Sequence, residues 1–324
     1  MEKAPWVDYR PEIKVLDCTI RDGGLINNHY FEDGLVRAVY NACAAAGVDY
    51  MEFGYKADQK IFATDKYGDW KFCREEDIRR VVGENGADLK ISVMADAERT
   101  DYHTDILPKD HSVIDLIRVA TYIHQIPTAL DMVKDAHDKG YETTINLMAL
   151  STVSEVEMAE ALELFAASPV DAIIIVDSFG VFYSERIQYY AKHFLEAAKA
   201  AGKDVGIHAH NNLQLAFANS IEAIVLGVNR IDATMNGIGR GAGNCPMELL
   251  LSFLRNPKFH LRPILRCIQD CFVSLRDEIE WGYMAPYMIT AHFNQHPRSA
   301  ISLRASDTPD AYVDFFDHCA NTED

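Results

Sequence analysis

No stretch of the chain approaches the ~18 uninterrupted apolar residues of a membrane-spanning helix, which excludes a helical membrane protein. The opening segment, Met1 to Pro11, mixes charged and polar residues and lacks the apolar core of a secretion signal. Basic residues are scarce: 31 Lys and Arg stand against 49 Asp and Glu, for a net charge of −18. A field of that sign repels phosphate backbones and anionic lipid, so the expected partners include no nucleic acid and no membrane. An anionic substrate would need a local cation to hold it. Paired cysteines are missing too. The seven cysteines form no Cys-x-x-Cys, and Cys267 and Cys271 lie one helical turn apart without further Cys or His partners. That disfavours a disulfide framework or a zinc knuckle and suits a reducing cytoplasm. Neither a Gly-x-Gly-x-x-Gly nor a Gly-Lys-Ser/Thr occurs, which disfavours nucleotide-binding folds.

What the chain has is rhythm. Short β-rich apolar runs (Lys14–Asp17, Tyr50–Gly54, Leu89–Met94, Ile114–Ala120, Thr143–Leu150, Ala172–Asp177, Val205–His210, Arg230–Met235) alternate with amphipathic stretches. The latter include Asp33–Ala46, Glu76–Glu84, Thr128–Lys139, Ser154–Ala167, Glu185–Ala201 and Leu213–Leu226. Strands alternating with helices of this length predict βαβ units and a parallel sheet. The run Ala172–Val176 is apolar at every position, as a strand buried on both faces must be. Gly47, Gly140, Gly202 and Gly227 each close a helix before the next strand. Eight such units predict an α/β fold, a (β/α)8 TIM barrel over residues 1–255, in preference to a doubly wound sheet. Residues 256–324 carry no strand pattern and read as a helical C-terminal extension packed on the barrel, with helices over Leu261–Trp281, Tyr287–Gln295 and Pro309–His318.

Barrel active sites lie at the carboxyl ends of the strands, and polar residues gather there: Asp17, Arg21 and Asp22 after strand one, Glu52 on strand two, Asp177 and Ser178 at strand six, His208 and His210 on strand seven, Asn236 and Asn244 after strand eight. His208 and His210 are two apart, so both imidazoles leave one face of the strand. Alone, such a pair is as well explained by hydrogen-bonded core histidines. With Asp22 it makes a two-His, one-carboxylate face suited to Mn²⁺, Mg²⁺ or Fe²⁺. Arg21 either pairs with Glu52 or Asp17 or stabilises an enolate; both roles can hold at different stages. The loop Gly237–Gly243 fits a substrate-side lid better than a phosphate cradle, and Cys245 fits a buried apolar site better than a reactive one.

Three motifs, Asp17-Cys-Thr-Ile-Arg21-Asp22-Gly23, His208-Ala-His210-Asn-Asn and Gly239-Arg-Gly-Ala-Gly-Asn244, resemble those of the DRE-TIM metallolyases, which are HMG-CoA lyase-like. Within that family the chain is most similar to 4-hydroxy-2-oxovalerate aldolase-type enzymes. The resemblance implies that Asp22, His208, His210 and Asn244 bind a divalent metal, Mn²⁺ or Mg²⁺. It implies further that Arg21 stabilises a pyruvate enolate, Glu52 supports the site, and Ser178 helps hold the substrate carboxylate, with Asp177 and Asn236 as neighbouring substrate contacts. The segment Gly282–Tyr287 resembles one that lends a tyrosine, here Tyr283 or Tyr287. One position departs. The aldolases carry a His shortly after Arg-Asp-Gly as base, where this chain has Leu25; His29, four residues later, is either a substitute or a loop-packing residue.

The expected activity is therefore a metal-dependent aldolase or lyase acting beside a 2-oxo acid, with a 2-oxo acid and an aldehyde as small-molecule partners. A homodimer and an aldehyde dehydrogenase that receives the product are the expected protein partners. Two alternatives stand beside it. One is a Claisen-type acyl-CoA synthase, lowered by the missing Glu-Gln after Arg-Asp-Gly and by the missing regulatory domain. The other is a non-catalytic barrel subunit, which the Leu25 departure keeps open.

Overall fold

A computed structural model of the chain describes residues 10–322, so nearly all of the Met1–Pro11 segment lies outside the described residues. Eight parallel strands close into a barrel in sequence order: β1 Lys14–Asp17, β2 Tyr50–Tyr55, β3 Lys90–Asp96, β4 Leu116–Thr121, β5 Glu142–Leu147, β6 Ala172–Asp177, β7 Asp204–Ala209 and β8 Arg230–Ala233. β1 pairs with β8, which seals the cylinder. This is the (β/α)8 barrel expected from the alternation, with strand ends shifted by three residues or fewer. Wall helices include Asp33–Ala46, Glu75–Val82, Ile126–Asp138, Glu155–Ala167, Ser184–Ala201 and Ala216–Leu226. Among the described residues no helix is long and apolar enough to cross a membrane.

The two faces of each strand do different work. Outward residues such as Val15, Met51, Ile91, Ile117, Ile145, Ile173, Ile207 and Ile231 pack under the helices in one continuous core. Inward residues alternate with them, and the lower layers are sealed by Leu16, Tyr50 and Leu116 and by Ala172, Ile174 and Val176. At the amino end an ion network closes the floor: Arg230 binds Glu142 at 2.6 Å and Asp204 at 2.8 Å, and Lys90 reaches Glu142 at 2.8 Å. Pairing charge at this end serves the barrel's stability and leaves the opposite mouth for chemistry.

The tail departs from the expected pattern. The single helix read over Leu261–Trp281 is instead a helix Leu261–Cys267, a widened turn Ile268–Phe272 and a short helix Val273–Leu275. Its side chains have different destinations: Phe272 enters the core, while the Trp281 Nε1 donates to the Asn236 carbonyl at 3.0 Å. A straight helix does not serve both. Helices Ala285–His292 and Tyr312–Ala320 replace those read over Tyr287–Gln295 and Pro309–His318, and Arg298–Arg304 forms a helix that the sequence reading passed over. The helix Leu261–Cys267 lies against Asp33–Ala46. Tyr287, Ile289, Ala300 and Phe315 pack on Ala242 of the Gly-rich loop.

Candidate metal centre

The turn after β1 is fixed before any ligand is considered. Asp17 accepts from the Thr19 amide at 3.1 Å and hydroxyl at 2.6 Å, and Thr19 Oγ1 accepts from the Met235 amide at 2.8 Å. The short helix Thr19–Gly23 that follows is wholly buried and carries Arg21 and Asp22 into the barrel mouth. β7 delivers His208, and His210 lies just past its end, bridged to Asn244. Gly239 makes the approach of Asn244 feasible: a Cβ there would fall 2.1 Å from Asn244 Nδ2 and 3.5 Å from Asp22 Cγ.

Ligand atoms of Asp22, His208 and His210 all lie within 4.8 Å of one another. His208 Nε2 is 3.1 Å and His210 Nε2 is 3.8 Å from Asp22 Oδ2. Both Nε2 atoms, both Asp22 oxygens and Asn244 Oδ1 are buried without a hydrogen-bond partner. Buried polar atoms are nearly always satisfied, so unsatisfied ligand atoms of Asp22, His208 and His210 gathered within 4.8 Å call for a shared partner. The other imidazole nitrogens explain the aim. His210 Nδ1 is 2.9 Å from the Asp177 carbonyl, which can only accept, so Nδ1 carries the proton and Nε2 presents a lone pair. His208 Nδ1 is 3.0 Å from Asp232 in the same way. This orientation of imidazoles by carboxylate and carbonyl is what metal-ligating histidines require. The residues fit a divalent cation.

The surroundings form a closed circuit of charge. Arg21 Nη1 lies 3.2 Å from Asp22 Oδ2, Arg21 Nε donates to Glu52 at 2.7 Å, and Arg118 joins Glu52 at 3.2 Å to Asp232 at 2.5 Å. Asp232 returns to His208. Three carboxylates against two guanidiniums leave one negative charge, and a divalent cation would make the mouth positive by one, a match for a 2-oxo carboxylate. Burial alone would raise Asp22, but Arg21 and the imidazoles outweigh it and hold the carboxyl well below its usual range. Burial pulls His210 down to about 3, which keeps it neutral. A second grouping, Cys18, His208 and Asp232, is also within reach of a cation. It is already used: Asp232 accepts from Arg118, and Cys18 donates to the Ala233 carbonyl while burial pushes its thiol well up.

The remaining predicted residues are placed variously. Arg21 pairs with Glu52 and not with Asp17. His29 is 2% exposed, with an unpartnered Nδ1, and packs edge-on to Tyr55 at 5.4 Å between ring centres. It leans on the chain beside Asp22, since a Cβ on Gly24 would fall 2.1 Å from its Nδ1. Asp177 and Ser178 build the turn after β6: the carboxylate accepts from the Val181 and Phe182 amides, and Ser178 Oγ accepts from the Ala149 amide at 2.8 Å. Asn236 occupies a left-handed turn with φ 55°. Tyr287 is buried against Gly241, whereas Tyr283 is 58% exposed and is not brought to the ligand group. The Gly-rich loop is held under the tail, with Asn212 Oδ1 accepting from the Ala242 amide at 3.2 Å. Cys245 is fully buried, and burial pushes its thiol up to about 12. Sequence reasoning missed Arg118 and Asp232. The signal was a charge at an inward strand position, Arg118 alone in β4 and Asp232 two residues after Arg230 in β8, since a charge there must find a partner inside.

This candidate metal centre beside a guanidinium lies at the carboxyl end of the barrel, where a carbon–carbon lyase of this fold carries its chemistry. The chain belongs to the HMGL-like family, which it matches over residues 12–266. It is 32% identical over 247 residues to the oxaloacetate decarboxylase of Mycobacterium tuberculosis, covering 74% of this chain and 69% of that one. It is 31% identical over 245 residues to the 4-hydroxy-2-oxovalerate aldolase of Carboxydothermus hydrogenoformans, covering 75% and 70%. Among solved structures, the N-terminal domain of a Bacteroides vulgatus protein assigned as an aldolase superposes with a TM-score of 0.77 at 28% identity, covering 91% of this chain and 97% of that one.

Proposed function

We propose that the protein cleaves 4-hydroxy-2-oxo acids to pyruvate and an aldehyde, and joins the two in reverse, with Mn²⁺ or Mg²⁺ held by Asp22, His208, His210 and Asn244. The observation that carries this reading is the gathering of unsatisfied ligand atoms of Asp22, His208 and His210 within 4.8 Å of one another beside Arg21. When bound, such a cation supplies Lewis-acid polarisation of the 2-oxo group. Arg21 faces the same point and stabilises the negative charge that develops on the C2 oxygen. Glu52 fixes Arg21 at 2.7 Å, and Arg118 fixes Glu52. His29 is neutral near pH 7, because burial and the nearby Lys71 and Arg21 draw it down to about 3. Its unpartnered Nδ1 takes the proton of the 4-hydroxyl. The O–H electrons close the aldehyde carbonyl, the C3–C4 bond electrons pass into the pyruvate enolate, and a solvent proton on C3 completes pyruvate.

Asp177 and Ser178 shape the substrate side through the turn they hold, and Tyr287 steadies the loop that ends in Asn244. Cys18, Cys43, Cys73, Cys245, Cys267 and Cys271 form no disulfide, which supports a reducing cytoplasm. Val313 and Phe316, exposed on the last helix, support a homodimer, and a reactive product supports hand-over to an aldehyde dehydrogenase. The test is His208→Ala. It should abolish both metal retention and pyruvate release from 4-hydroxy-2-oxo acids; unchanged metal content would defeat the ligand assignment.

A further inference from the structure

The long connection from β2 to the helix Glu75–Val82 folds back over the barrel mouth and ends in the turn Asp69–Lys71. Lys71 is 7% exposed. Its ammonium lies 4.3 Å from the ring centre of Tyr55, 4.3 Å from that of Phe62 and 5.8 Å from that of Tyr67. Among the described residues it makes no direct ion pair and no side-chain hydrogen bond, and the carboxylate that acts on it most, Asp96, is near without touching it. A buried charge is normally paired, and ring faces offset only part of its lost hydration.

The location is informative. Tyr55 meets His29 edge-on, and His29 rests on Gly24, two residues from Asp22. Lys71 stands at the other end of this run of contacts, one aromatic ring beyond His29. Leu25, Met94, Ala120 and Met148 cluster with Tyr55 and Phe62 at the ends of four neighbouring strands. Arg21 and Arg118 are thus committed to the carboxylates around the ligand group, whereas Lys71 stands at a distance in an apolar wall.

We infer that Lys71 determines substrate specificity by binding a second carboxylate, so that the preferred substrates are 4-hydroxy-2-oxo acids whose departing fragment carries an anion. The inference rests on the aldol reading above. Burial lowers Lys71 from the usual lysine range and raises the neighbouring Asp96 toward its neutral form, which leaves the ammonium poorly compensated; an incoming carboxylate would draw Lys71 back up. Arg21 is too close to the ligand group to serve the far end.

A matched pair of substrates tests it. 4-Hydroxy-2-oxoglutarate and 4-hydroxy-2-oxovalerate share one carbon chain and differ by a carboxylate in place of a methyl. The wild type should prefer the glutarate by about 100-fold in kcat/KM, since a site built around a polar partner rejects the analogue that lacks it. Lys71→Met should bring the glutarate-to-valerate ratio of kcat/KM from about 100 to near one, with the loss on the glutarate falling mainly in KM and any effect through the neighbouring His29 common to both substrates. Lys71→Arg should recover part of the loss. Exchange of pyruvate methyl protons in deuterium oxide should be unchanged in Lys71→Met, with metal content and melting temperature confirming the fold. Equal wild-type rates on the pair would overturn the inference. So would a Lys71→Met defect shared by both substrates and by exchange, which would assign Lys71 to the pyruvate half. Should the wild type show no exchange, the aldol reading fails by itself. Calorimetry still decides the role of Lys71, through tighter binding of 2-oxoglutarate than of 2-oxopentanoate that Lys71→Met abolishes.

Discussion

His208 points its Nε2 at Asp22 because Asp232, on the adjacent strand, accepts from its Nδ1 at 3.0 Å. Asp232 thereby acts through His208, and Arg118 acts through Asp232. Removing such an outer partner typically costs a metal site 10- to 100-fold in affinity. Asp232→Asn should weaken Mn²⁺ binding by that factor while leaving Asp22 and both imidazoles in place, as read by calorimetric titration. An unchanged affinity would show that the strand alone orients His208. Gly24 offers a sharper local test. A methyl group there collides with the His29 ring, so Gly24→Ala should displace His29 and lower turnover by about 100-fold or more with metal content retained. Full activity in Gly24→Ala would remove His29 from the reaction.

The strands were legible in the sequence for a simple reason. Outward positions such as Ile91, Ile117 and Ile173 must be apolar to pack under helices, and closing inward positions such as Leu16 and Ile174 must be apolar as well. Asp22, His208 and His210 were legible because they share a strand end or a strand face. Arg118 and Asp232 were not, because their partnership crosses half the barrel and nothing local to either strand reports it. Lys71 was invisible, since only the folded loop brings it to Tyr55 and Phe62. The tail helix was overread because helical periodicity does not report where Trp281 must anchor. The barrel floor supplies a prediction at this scale. Burial alone would raise Glu142, but Arg230, Lys90 and Tyr50 together hold its carboxyl down at about 2. A depressed acid contributes stability above its unfolded value of about 4.5, and that contribution fades as pH falls from there toward 2. Glu142→Gln should cost about 2 kcal/mol near pH 7 and flatten the acid side of the stability profile between those limits. Denaturant unfolding across the pH range measures both.

For the whole molecule, the mouth is organised around a charge deficit. The circuit of Asp22, Arg21, Glu52, Arg118, Asp232 and His208 carries one negative charge in a chain that carries −18 overall. A divalent cation reverses the local sign, so binding and folding are coupled: the native barrel gathers the ligands, and the unfolded chain does not. Saturation at a hundredfold excess over Kd should stabilise the fold by about 2.7 kcal/mol, seen as a rise in melting temperature that His208→Ala abolishes. The tail belongs to the same economy of order, since Tyr287 and Phe315 pack on Ala242 and so steady the loop that ends in Asn244.

The most direct test of the metal centre is anomalous diffraction from crystals of the Mn²⁺-loaded protein. The account predicts one strong peak bounded by Asp22 Oδ2, His208 Nε2 and His210 Nε2. A peak among Cys18, His208 and Asp232, or none at all within the barrel mouth, would contradict it.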